Sequence, residues 1–62
     1  MSAADKIIAD YREAYLRANG SPAPQVTYHR GWFNLGFTNV RATQVQEFTA
    51  RLNLRAETAG KA

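Results

Sequence analysis

Apolar and polar side chains alternate most clearly between Val26 and Phe37, where the chain reads VTYHRGWFNLGF. A period of two is the pattern of a half-buried strand. Arg30-Gly31 interrupts it with a turn, and Gly31 is the residue that takes positive φ at least cost. The stretch predicts a β-hairpin over residues 25–37. A two-residue loop pairs His29 with Trp32, Tyr28 with Phe33, Thr27 with Asn34 and Val26 with Leu35. Directly opposed residues share a face. Val26, Tyr28, Phe33, Leu35 and Phe37 then form an apolar face, and Thr27, His29, Trp32, Asn34 and Gly36 a largely polar one. A bulged turn at Gly31 slips the register by one and divides the apolar residues between both faces, which a one-sided sheet does not tolerate. The preferred register has one weak point: Arg30 is strained if it, too, takes positive φ.

The pattern on either side of the hairpin is helical. Over residues 1–19, Ile7, Ile8, Tyr11, Ala14, Tyr15 and Ala18 recur at the spacing of one helix face. Lys6, Asp10, Glu13 and Arg17 take the other side, where Glu13–Arg17 is a favourable i,i+4 pair. Ser2 with Asp5 resembles a capping box, and Gly20 is a natural stop. Ser21–Pro24 reads as a stiff linker. Thr38–Ala42 reads as a connector in which Val40 extends the second strand or tucks beneath the sheet. Thr43 with Gln46 is a second capping box, opening a helix over 43–57. Its buried stripe is Val45, Phe48, Leu52 and Ala56. Leu54 lies off the stripe, free for a partner, and Glu47–Arg51 forms another i,i+4 pair. Residues 58–62 read as a frayed tail. The prediction is one α+β domain of order α-β-β-α, with two helices on one face of a hairpin. A domain completed by dimerisation is the alternative.

Size makes that alternative concrete. Of the apolar residues in this 62-residue chain, eleven are Ala, leaving seventeen larger ones. That is just enough for two helices on a hairpin, so a second copy adding its hairpin edge to edge is expected. There is no Cys, which excludes a disulfide scaffold and thiolate chemistry. No apolar run approaches a membrane span and no signal-peptide pattern opens the chain, so a cytoplasmic location is expected. A net charge of +3 permits nucleic-acid binding without demanding it.

Catalytic chemistry finds little to stand on. A nucleophile, base and orienting group must converge on a scaffold, but His29 is the sole histidine and the carboxylates lie on the helices. One His with scattered carboxylates does not make a tetrahedral metal site, unless a dimer brings two His29 side chains together. No glycine-rich phosphate loop is present. The chain is therefore expected not to be an enzyme and to use no cofactor.

Two groups point to binding. His29, Arg30 and Trp32, with Tyr28 and Asn34, gather the residue types that dominate interfaces and that stack on bases. The plain alternative is that Trp32 covers the open sheet face, over Gly36, or is buried against a second copy. Arg41, Arg51 and Arg55 suggest a phosphate-facing stripe, against which stands a solvated face partly neutralised by Glu47 and Glu57.

The line AYLRANG…P…VTYHRGWFNL…R…VQEFTARL resembles small uncharacterised bacterial proteins of the kind encoded on phages, plasmids and genomic islands. The similar residues are Ala14, Tyr15, Ala18, Asn19, Gly20, Tyr28, Gly31, Trp32, Phe33, Phe48 and Leu52. The resemblance implies a bacterial, intracellular setting and brings no activity or site with it. The expected function is a small non-enzymatic protein, an inhibitor or adaptor, that binds a protein partner through the hairpin. The rivals are nucleic-acid binding through the arginines and hairpin aromatics, and a self-assembling structural subunit. Neither a membrane nor a small-molecule substrate is expected as partner.

Overall fold

The computed structural model describes residues 3–60, in the order α1 (Ala3–Asn19), β1 (Thr27–His29), β2 (Trp32–Asn34), β3 (Asn39–Val40) and α2 (Ala42–Gly60). The class is α+β, with two helices and a three-stranded antiparallel sheet in the order β1-β2-β3. The first hairpin has the expected register: Thr27 opposes Asn34, Tyr28 opposes Phe33 and His29 opposes Trp32. Arg30 and Gly31 both have positive φ, 49° and 85°, as a type I′ turn requires. The right-handed twist of the strands selects that turn, and the strain falls on Arg30. Arg30→Asn is expected to raise stability by about 0.5–1 kcal/mol, because Asn visits the left-handed region more readily. A thermal melt should shift upward by a few degrees; an unchanged or lower midpoint would show that Arg30 bears no strain.

The third strand is a correction to the sequence reading. Leu35 N–H donates to Thr38 O at 3.0 Å, closing a second two-residue loop at Gly36-Phe37. Phe33 and Asn34 then pair with Val40 and Asn39. Gly36 has a φ of 95°, and glycine at the first loop position is what a type II′ hairpin uses. A Cβ there would also stand 3.0 Å from Pro24 Cβ. The Asn34 carboxamide oxygen accepts the Gly36 N–H at 2.8 Å and braces the turn. The expected hairpin thus pairs over Thr27–Asn34, and Gly36 and Phe37 belong to a second turn. Phe37 sits at the second turn, 71% exposed, instead of lying on the core face.

The core gathers Tyr11 from α1, Phe33, Leu35 and Val40 from the sheet region, and Val45 from α2. The expected stripes supply it: Ile7, Ile8 and Tyr15 on α1 and Phe48 and Leu52 on α2 are partly buried against it. Val26 is half-buried, and Tyr28, 48% exposed, leans its ring on Phe33 at 4.8 Å between centroids. Burial, and secondarily the charge of Tyr15, raise the Tyr11 phenol above its ordinary pKa.

The helix ends differ in part from expectation. Gly20 N–H donates to Leu16 O at 2.8 Å, the expected stop of α1. Ser2, the proposed cap, lies outside the described residues. α2 starts one residue before Thr43: Arg41 O accepts from the N–H groups of Gln44 and Val45 at 3.0 and 3.1 Å. Strand β3 delivers the chain directly into the helix, so Thr43 falls inside the first turn and not at the cap. The helix also continues through residues 58–60, which the sequence reading left to a frayed tail. Lys6 and Asp10 form an ion pair at 3.0 Å. The expected pairs Glu13–Arg17 and Glu47–Arg51 do not form among the described residues; Arg17 Nη2 donates instead to Asn53 Oδ1, linking the two helices. No described helix is long and apolar enough to cross a membrane.

Candidate binding face of the sheet

Strand alternation sends Tyr28, Phe33 and Val40 toward the helices and their neighbours to the opposite face. That opposite face has two cross-strand rows. Thr27, Asn34 and Asn39 oppose one another in the first. His29 opposes Trp32 in the second, and one step past Val40 the same register brings Arg41 beside Trp32. Thr27, His29, Trp32, Asn34 and Asn39 line a shallow depression, and all five are exposed.

Arg41 is the residue that changes the site. Its guanidinium carbon lies 4.0 Å from the centroid of the Trp32 ring, within cation–π range. Its Nη1 donates to Gly31 O at 3.3 Å. The absence of a side chain at Gly31 makes room for this, since a Cβ there would stand 2.7 Å from Arg41 Nη1. Trp32 remains 45% exposed. It is stacked by Arg41, not laid over Gly36, which Pro24 approaches instead.

The expected site residues therefore separate into groups. His29, Trp32 and Asn34 share the open face, with Arg30 at its turn. Asn34 is partly committed, since its oxygen braces the Gly36 turn. Tyr28 does not belong with them, because alternation puts it on the helix side against Phe33. Arg41, Arg51 and Arg55 are not one stripe. Arg41 joins Trp32, whereas Arg51 and Arg55 border a groove that includes Phe37 and Phe48. Asn39 and Arg41 come to this face only through β3, whose two residues are too few to show a period in the sequence.

The charge around the face is one-sided. From Ala14 to Gln46 the chain carries Arg17, Arg30 and Arg41 and no Asp or Glu. No carboxylate lines the depression. No three His, Cys, Asp or Glu side chains come together as a metal site among the described residues. The face can donate hydrogen bonds from amides and guanidinium groups, stack a planar group against Trp32, and attract negative charge.

Comparison of the chain with protein-family models, with curated proteins and with solved structures returned no match.

Proposed function

We propose that this chain is a non-enzymatic binding module whose open sheet face takes a single strand of nucleic acid. The observation that carries the reading is the Arg41–Trp32 stack on a face without carboxylates. Sequence-tolerant single-strand binders combine a cationic surface with aromatics on which bases stack. Both parts are present here, facing each other across β2 and the residue that follows β3. A duplex keeps its bases in the stack, so an indole on a flat sheet has more to gain from an unpaired base. Recognition of a protein through the hairpin, the first expectation from sequence, finds less support on this face. Interface centres are apolar and aromatic, and Trp32 stands on this face among polar neighbours while the exposed Leu16, Tyr28, Phe37 and Leu54 lie elsewhere.

In this reading a base takes the place of the Arg41 guanidinium on Trp32. The guanidinium turns to the phosphate, where a pairing of opposite charges replaces its hydrogen bond to the uncharged Gly31 carbonyl. Arg30 reaches a neighbouring phosphate from the turn. Thr27, Asn34 and Asn39 meet sugar and base edges.

Trp32 is the only tryptophan, so its fluorescence reports binding directly. Titration with a thymidylate oligonucleotide is expected to quench it and to weaken as salt rises. Two phosphate contacts on a single strand give a slope of log K against log salt of about −1.4, at roughly −0.7 per contact. Arg41→Ala should flatten that slope by about 0.7. Absence of quenching at low salt, or a slope near zero, would falsify the reading.

A further inference from the structure

Away from the open sheet face, between the helices, lies a groove with a different character. Tyr15, Phe48 and Leu52 are its half-buried apolar lining, and Phe37 stands over it from the second turn. Phe37 meets Phe48 edge-on, with ring centroids 6.5 Å apart. Arg51 and Arg55 follow each other by one turn of α2 on the rim. Neither has an ion-pair partner among the described residues, and no carboxylate lines the groove. This groove and the sheet face share no lining residue.

We infer that this groove docks a segment of a partner protein that carries an apolar side chain beside two carboxylates. Phe37 is the first reason. The loop that holds it is closed by the Leu35–Thr38 bond and braced by Asn34, so a large ring is held in place at 71% exposure. A fixed exposed aromatic costs little entropy to bury on binding. The second reason is charge complementarity. Arg51 and Arg55 are separated by four residues, about 6 Å of helix rise. Two carboxylates four apart on a helix, or two apart on a strand, match that interval. The apolar side chain enters between Phe37 and Tyr15, and the carboxylates meet the arginines at the rim. A nucleic-acid strand fits less well, because the two arginines stand on one rim of a groove lined mainly by Tyr11, Tyr15, Phe37, Phe48 and Leu52, and Asn19 already donates to Tyr15 O.

The test is selection of a phage-displayed random peptide library on the intact chain, followed by measurement of the selected peptides on variants. The expected result is enrichment of peptides with paired Asp or Glu around a Leu, Ile or Phe. Their affinity should fall at least about tenfold on R51E/R55E and on Phe37→Ala, and stay unchanged on Trp32→Ala. Circular dichroism of each variant controls for folding, and all four substituted side chains are exposed. The inference is overturned if no acidic–apolar motif is enriched, or if the selected peptides bind R51E/R55E as well as the parent. It also falls if the wild-type mass doubles with concentration and R51E/R55E abolishes the doubling, since a second copy then fills the groove. Thymidylate binding is read on the same variants. Its loss on R51E/R55E assigns these arginines to a nucleic-acid track and overturns the inference. Its absence in the wild type, with peptide binding intact, removes the sheet-face reading alone.

Discussion

Replacement of Phe33 by alanine is expected to remove about half or more of the stability of this chain. Phe33 is 2% exposed and sits where every element meets. Tyr28 packs on its ring, Val40 lies directly across the ladder, and Tyr11 and Val45 close over it from the two helices. Truncating a buried Phe costs about 3–5 kcal/mol in transfer free energy and residual cavity. A chain of this size has a total stability of roughly 3–9 kcal/mol, at about 0.05–0.15 kcal/mol per residue. The single change therefore removes a large part of what holds the domain, and no disulfide is present to compensate. The melt followed by far-UV circular dichroism should move down by at least about 12 °C, at roughly 4–8 °C per kcal/mol for a domain of this size. Leu54→Ala is the matched control: Leu54 is 65% exposed, and its truncation should change stability by less than about 0.5 kcal/mol. A cooperative melt of Phe33→Ala within a few degrees of the parent would show that the sheet is not the centre of the core.

The parts of this fold that the sequence made legible are those where one signal repeats. Six apolar positions on α1 outline a face whether or not any one of them is misjudged, and the structure buries that face. The first hairpin is readable because only one register puts Val26 and Tyr28 on the same face as Phe33 and Leu35. Even the strain at Arg30 followed from that register. The second hairpin was not readable in the same way. Its outer strand is two residues long, too short to show a period, and its turn is carried by Gly36 followed by an aromatic. Gly-Phe between Leu35 and Thr38 does carry the glycine-first signature of a type II′ loop. Its weight was masked by Phe37, which looks like one more core residue in an alternating strand. With β3 absent, Arg41 is only the residue before a helix, and it groups by sequence distance with Arg51 and Arg55. With β3 present, the ladder carries it to Trp32. The helix cap shifted for the same reason, since a strand that runs straight into α2 leaves no room for Thr43 at its start.

The second large effect concerns Trp32 itself. Trp32→Ala is expected to lower affinity for a thymidylate strand by about tenfold or more, since base–aromatic stacking is worth about 1–3 kcal/mol per base. Trp32→Phe should retain part of it, because a smaller ring still offers a π-face. The fold should survive both, as Trp32 is 45% exposed and its sole aromatic-face contact among the described residues is the Arg41 guanidinium. Salt dependence separates stacking from charge. Trp32→Ala should lower affinity at every salt concentration and leave the slope of log K nearly unchanged, since it removes no cation. Arg41→Ala should lower affinity most at low salt and flatten the slope. Gly31→Ala joins the two effects. Its Cβ would stand 2.7 Å from Arg41 Nη1, so the guanidinium must shift from its place between Gly31 O and the indole. If the strand itself displaces Arg41 from Trp32, Gly31→Ala removes a contact that binding would have to break, and affinity suffers only through strain at the turn. If the stacked pair is the platform, Gly31→Ala lowers affinity as much as Arg41→Ala does. Anisotropy of a labelled thymidylate strand, read on the four variants across a salt series, distinguishes these outcomes. Equal binding by Trp32→Ala and the parent would remove the indole from the mechanism altogether.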